Sequence, residues 1–183
     1  MRIISGSARG RKLITPTGME IRPTTDKVKE ALFSILQFDL PGKYVLDLFA
    51  GTGQLGLEAL SRGAAHAVFT DSSKKAVELI KNNVALTGFG PQSTVLQTDA
   101  FSYLAATDAT FDIVLLDPPY EKGLCEKAVG LLPRVLRAGA VVVCETRPEE
   151  QLPDSVGDLT AVKVYRYSGI RLTVYRTPNE EEA

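Results

Sequence analysis

Residues 44–63 read YVLDLFAGTGQLGLEALSRG, and this stretch decides the fold. Its apolar opening, over residues 44–49, is typical of a buried parallel strand. Glycines follow at positions 51, 53 and 56, and an apolar helical stripe occupies 54–62 before Gly63 closes the helix. A strand, a glycine turn and a helix in direct succession indicate the first half of a βαβ unit.

The alternation of strand and helix continues along the chain. An amphipathic helix that begins near Pro23 and ends at Pro41-Gly42 precedes the first strand. Two further helices lie between later strands: one ends at Gly88, and the other spans 124–136. The sequence therefore predicts an α/β, Rossmann-like fold with a mostly parallel seven-stranded sheet and helices on both faces. The predicted strands are 44–49, 67–70, 94–97, 111–116, 140–144, 161–166 and 170–175, and the last two form an antiparallel pair around Ser168-Gly169.

Composition restricts the classes of protein that fit the chain. Its 183 residues are 44% hydrophobic and 23% charged, as in a globular domain. No apolar run is long enough to cross a bilayer, and the first residues lack a signal-peptide core. Cys125 and Cys144 are far apart, and His66 is the one histidine. We therefore expect a cytoplasmic protein with reduced thiols and neither a membrane partner nor a metal site.

Charge is distributed unevenly along the chain. Residues 1–29 hold seven basic and two acidic side chains, which gives this segment a net charge of +5. Because the whole chain has a net charge of −1, the remaining residues carry a net charge of −6. A basic segment on an acidic body indicates a polyanionic partner held at one end, although it also fits a solvated terminus. We predict three parts: a basic arm or β-hairpin over 1–22, a Rossmann-like domain over 23–177 and an acidic tail over 178–183.

The residues Asp117-Pro118-Pro119-Tyr120 directly follow the predicted strand 111–116. We assign these four residues to catalysis, because they would form a rigid surface on which a flat ligand that carries an amine can lie. The Asp117 carboxylate and the Pro118 carbonyl can accept hydrogen bonds from the two amine hydrogens, and Tyr120 can stack on the ring. A neutral amine held in this way needs positioning more than a strong base.

A cofactor site is predicted at the ends of the first three strands. The GxGxxG turn and Asp71, twenty residues after its first glycine, fit a dinucleotide as well as S-adenosylmethionine. Asp47 favours S-adenosylmethionine, because a carboxylate suits its ammonium group and would repel a pyrophosphate. Asp99 could accept a hydrogen bond from the adenine amine. The candidate cofactor-binding residues are Asp47, Phe49, Gly51, Gly53, Asp71, Asp99 and Ala100.

Two of these motifs resemble motifs I and IV of class I amino-methyltransferases, namely DLFAGTG at 47–53 and DPPY at 117–120. Four longer blocks resemble the bacterial 16S ribosomal RNA guanine-N2 methyltransferase family: RIISG at 2–6, ARGRKL at 8–13, RPTTDKVKEALF at 22–33 and LGLEALSRGA at 55–64. The similarity weakens beyond about residue 125. Gln54, in place of a small residue, and Asp71, in place of the commoner glutamate, depart from the family pattern.

The resemblance implies that the chain methylates the N2 amine of one guanine, guanine 966, in 16S ribosomal RNA of the 30S subunit or an assembly intermediate. It gives the basic arm the role of contacting phosphates, which supply affinity and position rather than sequence discrimination. Arg22 and Thr24, just before a helix, could bind phosphate, or they could close over the cofactor or the target base. The final pair of strands, Tyr165–Arg176, could also lie near the target, but packing at the edge of the sheet is the favoured interpretation. The candidate RNA-binding residues are Arg9, Arg11, Lys12, Arg22, Thr24 and Lys27.

Three other functions fit parts of the sequence. A DPPY segment could serve a methyltransferase that acts on a DNA adenine or on a protein glutamine amide. The glycine turn could serve a nicotinamide-dependent oxidoreductase. A non-catalytic RNA-binding assembly factor would explain the basic arm, but it would have no need of the DPPY segment.

Overall fold

The strand–turn–helix unit forms as predicted, and the following elements extend it into one sheet. The structure is a computed structural model that describes residues 1–16, 23–119, 123–167 and 169–179, without the side chains of 23–25. Arg22 and Tyr120 therefore lie outside the described residues, as do the side chain of Thr24 and tail residues 180–183. The strands are β1 Tyr44–Asp47, β2 His66–Asp71, β3 Ser93–Gln97, β4 Phe111–Leu116, β5 Leu136–Thr146, β6 Ser155–Val156, β7 Leu159–Tyr167 and β8 Ile170–Arg176.

The described part of the chain has five α-helices, of which the first precedes the sheet and the other four connect β1 to β5. They are α1 Pro23–Ile35, α2 Gln54–Ser61, α3 Lys74–Thr87, α4 Ala100–Ala106 and α5 Leu124–Leu131. The strand order is β3-β2-β1-β4-β5-β8-β7-β6, with β1 to β5 parallel and the last three strands antiparallel. The chain reverses its direction of winding between β1 and β4. In open α/β sheets such a point leaves a crevice at the carboxyl ends of the two strands, where ligands bind.

The predicted count of seven strands is wrong by one, because the sheet formed by the described residues has eight. The extra strand, β6, is only two residues long and pairs with the start of β7. A two-residue strand is too short to show the alternation of apolar and polar residues from which strands are predicted.

The predicted helix over 124–136 is also too long. The α-helix ends at Leu131, and Leu132–Val135 form a 3₁₀ turn. Pro133 explains the change, because proline lacks the amide hydrogen that an α-helix needs at that position. Strand β5 then begins at Leu136, four residues before the predicted start.

One helix escaped prediction. Residues Ala100–Ala106 form α4, which has only seven residues. Asp99 caps it, because one carboxylate oxygen accepts hydrogen bonds from the backbone of Phe101 and Ser102 at 3.0 and 2.9 Å. Asp99 thus has the capping role in which aspartate is commonly found.

Two hydrophobic cores lie on opposite faces of the sheet, as helices on both faces require. One core combines the sheet with the amino-terminal arm and helices α1 to α3. The other combines it with α4 and α5. Ile3, Ala8 and Leu13 of the arm are buried in the first core. The arm is therefore part of the folded body rather than a free extension.

The arm is hairpin-like, with an antiparallel bridge between Arg2 and Lys12. Glu58 of α2, which is fully buried, holds the first half of the arm. Its two carboxylate oxygens accept hydrogen bonds from the backbone of Ile4 and Ser5 at 2.7 and 3.0 Å. Because backbone amides need partners when they are removed from water, this carboxylate takes the place of a neighbouring strand.

Glu58 also neutralises two cations. The Arg62 Nε lies 2.8 Å from one carboxylate oxygen, and the Lys29 Nζ lies 3.8 Å from the other. Lys29 is itself buried, and burial lowers the pKa of its amine while Glu58 raises it. Removal of one partner from such a buried cluster leaves the other charges without compensation.

We predict that Glu58→Ala lowers the free energy of unfolding by about 3–5 kcal/mol, because buried Lys29 loses the carboxylate that balances its charge and the amides of Ile4 and Ser5 lose their acceptor. Urea denaturation followed by circular dichroism measures the loss, and limited proteolysis should cut the variant within residues 1–13 first. Glu78→Ala is the matched control, since Glu78 is an exposed glutamate of α3, and its effect should stay within about 0.5 kcal/mol. Equal stability of the two variants would contradict this role.

Candidate active site

A cleft of about 780 Å³ lies at the carboxyl ends of the parallel strands. It includes the crevice between β1 and β4 that the strand order predicts. Its volume lies in the upper part of the range for sites that bind small molecules. The residues that line it are Leu48, Phe49, Gly51, Asp71, Ser72, Thr98, Asp99, Ala100, Asp117, Pro118, Pro119, Glu145, Arg147, Pro148, Glu149, Gly169 and Ile170.

Eight of the predicted catalytic and cofactor-binding residues come together in this cleft. They come from turns that are far apart in sequence and adjacent in the sheet. The eight are Phe49, Gly51, Asp71, Asp99, Ala100, Asp117, Pro118 and Pro119. Asp47 and Gly53 are not among the lining residues, and Tyr120 lies outside the described residues.

Asp47 has an internal partner instead of a position on the cleft surface. It is only 1% exposed, and one carboxylate oxygen accepts a hydrogen bond from the backbone of Gly56 at 2.9 Å. This bond fixes the first turn of α2 against the end of β1. Burial raises the pKa of Asp47 to about 7, the Gly56 bond opposes that shift, and the nearby carboxylates of Asp117 and Asp71 raise the pKa further.

Asp117 lies directly after β4, next to the end of β1 in the sheet. Burial raises the pKa of its carboxyl group to about 6. Asp117 nevertheless lines the cleft, together with buried Pro118 and exposed Pro119. Carboxylates held close together in a poorly solvated place are stabilised by a neighbouring positive charge. This part of the cleft therefore suits a cationic ligand.

Asp71 joins the ends of β1 and β2. One of its carboxylate oxygens accepts a hydrogen bond from the backbone of Gly51 at 3.0 Å, and the other accepts one from Ser73 at 2.8 Å. A carboxylate oxygen has more than one lone pair, so these bonds leave acceptor capacity on the cleft side. Asp71 thus shapes the glycine turn and still presents an acceptor to a ligand.

The glycines of the turn serve different purposes. Gly51 lines the cleft with a φ of +56°, a conformation that side chains other than glycine adopt rarely. Gly56 instead packs beneath the turn, where a Cβ atom would lie 2.3 Å from the ring of Phe69. Gly51 thus allows the backbone to approach a ligand closely, while Gly56 serves the packing of the helix on the sheet.

Most of the second wall of the cleft was not predicted from the sequence. Glu145, Arg147 and Glu149 belong to the end of β5 and the segment after it, Gly169 comes from the turn between β7 and β8, and Ile170 begins β8. The position of Glu145 at the carboxyl end of a parallel strand was the available signal. For the pair of strands that this turn joins, packing at the edge of the sheet was the favoured interpretation, because only the tertiary fold brings the turn to the cleft.

One of the two residues that depart from the family pattern begins α2. Gln54 has a buried side-chain oxygen with no hydrogen-bond partner among the described residues. A small residue would leave no such oxygen to satisfy.

Four of the six predicted RNA-binding residues have described side chains. Arg9, Arg11, Lys12 and Lys27 are all exposed, the first three of them on the arm. Lys29 belongs to the same basic stretch but is buried against Glu58, so its charge does not contribute to the surface.

The described residues hold neither a metal-ligand cluster nor a membrane-spanning helix. Across residues 1–16, 23–119, 123–167 and 169–179, no group of three or more histidine, cysteine, aspartate or glutamate residues is arranged to hold a metal ion. The helices within the same ranges are all too short or too polar to pass through a bilayer.

Comparison with known proteins relates nearly the whole chain to one family. The family model described as Conserved hypothetical protein 95 matches residues 1–176. "Putative rRNA methyltransferase YlbH" of Bacillus subtilis is 37% identical over 181 residues, which cover 96% of this chain and 98% of that protein. "Ribosomal RNA small subunit methyltransferase D" of Escherichia coli strain K12 is 39% identical over 155 residues, which cover 84% of this chain and 78% of that protein.

Solved structures agree with the fold. An Escherichia coli structure described as "Putative methyltransferase yhhF" has a TM-score of 0.88 and 31% identity, and the match covers 98% of this chain and 99% of that one. An RNA methyltransferase structure from Salinibacter ruber has a TM-score of 0.66 at 18% identity, covering 92% of this chain and 95% of that one. The predicted Rossmann-like methyltransferase fold is thereby confirmed.

We predict that Asp47 makes the ligand-free protein less stable as the pH rises from about 4 to 7. The folded protein retains a proton that the unfolded chain has already lost, because the pKa of this carboxyl is about 7 when folded instead of 3.8. Asp47→Asn keeps the oxygen that faces Gly56 and removes the titration. Between pH 5 and pH 8, denaturation should show a smaller loss of stability in the variant than in the unmodified protein, by ~1 kcal/mol or more.

Asp108→Asn is the control for this measurement, because Asp108 is exposed in the loop that leads to β4. It should follow the pH dependence of the unmodified protein. If Asp47→Asn also does so, Asp47 does not hold a proton in the folded state at these pH values.

Proposed function

The chain belongs to the family described as Conserved hypothetical protein 95, and from this membership and the cleft we propose that it transfers a methyl group from S-adenosylmethionine to guanine N2 in 16S ribosomal RNA. Guanine 966 is the proposed nucleotide. The single observation that carries the proposal is the position of Asp117 and Pro118. They line a carboxylate-rich cleft where the strand order reverses. The protein would act in the cytoplasm, on the 30S subunit or an assembly intermediate.

The donor and acceptor groups of the cleft fit S-adenosylmethionine. Asp71 offers a carboxylate oxygen for the ribose hydroxyls, and Gly51 allows the backbone to lie close to the ligand. Asp99 and Ala100, just after β3, would contact the adenine, and Phe49 adds an apolar surface to the same cleft. When bound, S-adenosylmethionine supplies a methyl group on a positively charged sulfur.

Asp47 would act on the cofactor through charge rather than contact. Its carboxylate is buried behind the glycine turn, within electrostatic reach of Asp117 and Asp71. A cation in the cleft would favour the ionised forms of Asp47 and Asp117. A pyrophosphate in the same place would oppose them, which disfavours a dinucleotide as the ligand.

The target amine would be held by two acceptors. The Asp117 carboxylate and the Pro118 carbonyl would accept its two hydrogens, so that the nitrogen lone pair points away from both residues. The rigid prolines fix the direction of these acceptors. Positioning of this kind can supply much of the rate acceleration.

The proton balance requires no strong base. The neutral amine would form the new carbon–nitrogen bond as the methyl carbon–sulfur bond of the donor breaks, and the electron pair of that bond would stay on the sulfur. The methylated amine would then have to lose one proton. With a pKa of about 6, Asp117 is ionised at neutral pH and can accept that proton before solvent does. Tyr120 would stack on the guanine, and this base would have to leave any surrounding stack to reach the cleft.

The arm would hold the RNA. Arg9, Arg11, Lys12 and Lys27 present positive charge on the surface, and Arg22 and Thr24 are proposed to join them beside the start of α1. The buried contacts of Glu58 keep the arm at a fixed place on the body. Phosphate contacts would then give affinity and orientation, while the cleft selects the amine.

We predict that the purified protein transfers labelled methyl to small subunits that lack the modification, and that Asp117→Ala lowers kcat by about 10²-fold or more, because the amine loses an acceptor that positions it. Binding of S-adenosylmethionine, measured by calorimetry, should persist and weaken by no more than about tenfold, since Asp71 and Gly51 are unchanged and only one nearby negative charge is lost. Asp108→Ala is the matched control, because it removes an exposed aspartate that does not line the cleft. Normal turnover by Asp117→Ala would contradict the assigned role.

The identity of the product tests the substrate. If nuclease releases the label and protease does not, the result would support RNA rather than a protein glutamine as the methyl acceptor. Nucleoside analysis should then give N2-methylguanosine, and primer extension should place it at guanine 966. Label on DNA adenine or on protein would refute the proposed substrate.

We predict that Arg9→Gln, Arg11→Gln and Lys12→Gln each weaken binding to small subunits and reduce its dependence on salt. Removal of one phosphate-binding side chain should lower the slope of log K against log salt by about 0.7–0.9. Filter binding at several salt concentrations measures this slope. Lys43→Gln is the control, since this half-exposed lysine lies just before β1, at the opposite edge of the sheet from the cleft. Unchanged slopes in all three arm variants would contradict RNA binding by the arm.

A further inference from the structure

The hairpin of β7 and β8 has an unusual composition that the proposed function does not use. Residues 159–176 contain four basic residues, three tyrosines and no acidic residue. Basic side chains interleaved with aromatic ones are typical of surfaces that bind nucleic acid. The turn of this hairpin contributes Gly169 and Ile170 to the cleft. The hairpin therefore extends from the proposed methyl-transfer site along the surface.

Two arginines of the hairpin lie directly opposite each other. Arg166 of β7 pairs in register with Arg171 of β8, and both line a second cavity of about 270 Å³. Like charges that face each other across two strands are destabilising. An anion between them would remove the repulsion and would be contacted by both guanidinium groups.

Arg171 is partly fixed in place and partly unsatisfied. One terminal nitrogen donates a hydrogen bond to the backbone oxygen of Glu150 at 2.6 Å. Its Nε is buried and has no hydrogen-bond partner among the described residues. A buried donor without an acceptor is unfavourable, so a shift of this side chain toward an anion in the cavity would be favoured. The guanidinium is thus held by one nitrogen while another still lacks a partner.

The second cavity also contains one carboxylate, that of Asp154. Asp154 belongs to the end of the cavity near Tyr175, since the hydroxyl of that tyrosine donates a hydrogen bond to the backbone oxygen of the preceding Pro153 at 2.7 Å and the backbone oxygen of Asp154 accepts one from Ala161. Tyr175 is four residues along β8 from Arg171, a distance of roughly 13 Å in an extended strand. The arginine pair therefore lies at the end nearer the cleft, away from this carboxylate.

We propose that Arg166 and Arg171 bind a backbone phosphate of the RNA, next to the nucleotide whose base enters the cleft. This assignment rests on the proposed function for the nature of the anion. Arg171 is adjacent in sequence to Ile170, which lines the cleft, so a phosphate held by the pair lies within reach of a neighbouring nucleotide. Arginine suits this task because its planar group can give two parallel hydrogen bonds to one phosphate.

The test compares Arg166→Gln with the unmodified protein on small subunits that lack the modification. KM for subunits should rise by about 5–30-fold, kcat should change by less than about threefold, and the slope of log K against log salt should fall by about 0.7–0.9. Binding of S-adenosylmethionine should be unchanged. Lys163→Gln is the matched control, because this exposed lysine pairs with Val174 and lies on the opposite face of the same hairpin.

Arg171→Lys provides a second variant. This variant keeps the positive charge but loses the two parallel N–H donors of the guanidinium group. It should therefore raise KM for subunits by about 3–10-fold, while the slope of log K against log salt stays near that of the unmodified protein. Subunit binding is measured without methyl transfer. Absence of transfer by the unmodified protein would refute the proposed function, whereas weaker binding by Arg166→Gln would still support the phosphate site. If both variants bind subunits with unchanged affinity and salt slope, the phosphate site is refuted.

Discussion

The rest of the structure depends on how the chain keeps negative charge at one edge of its sheet. The carboxylates of Asp71 and Asp117 lie close enough to Asp47 to add to the effect of burial, which raises the pKa of Asp47 to about 7. Backbone amides of Gly56, Gly51 and Ser73 donate to Asp47 and Asp71 and offset part of the repulsion. A cationic ligand in the cleft would reduce the repulsion that remains between these carboxylates, so the ligand-free fold already favours binding of a cation.

This constraint also explains the glycine turn. The amide groups that stabilise Asp47 and Asp71 belong to Gly56 and Gly51, the third and first glycines of the motif. At Gly56, the close approach of the Phe69 ring leaves no space for a side chain. At Gly51, the positive φ turns the backbone toward the cleft. The glycines therefore hold the carboxylates and open the site at the same time.

A second buried carboxylate performs a similar task on one face of the sheet. Glu58 receives the backbone of the arm and balances Lys29 and Arg62. Asn83 of α3 continues this attachment, because its side chain bonds to both backbone groups of Ile14 and to the backbone oxygen of Thr52 in the glycine turn. Side chains of the domain thus join the arm, which we propose to bind RNA, to the turn beside the cleft.

Local sequence was sufficient for much of the fold. The alternation of apolar strands with helical stripes predicted the parallel sheet, since strand and helix periodicities are set by neighbouring residues. Prediction from local patterns failed where a pattern was too short, as in the two-residue β6 and the seven-residue α4, or where it was interrupted, as at Pro133. It placed Asp71 and Asp117 in the cleft, because the carboxyl ends of parallel strands meet at one edge.

The sequence by itself determined the α/β class, the strand ends that carry the site and the basic character of the arm. Only the tertiary structure decided that Asp47 is buried behind the turn and that Lys29 is used inside the core. It alone brought the turn between β7 and β8 to the cleft and set Arg166 opposite Arg171. The physical reason is that burial and strand register arise from contacts between residues distant in sequence, which no local pattern encodes.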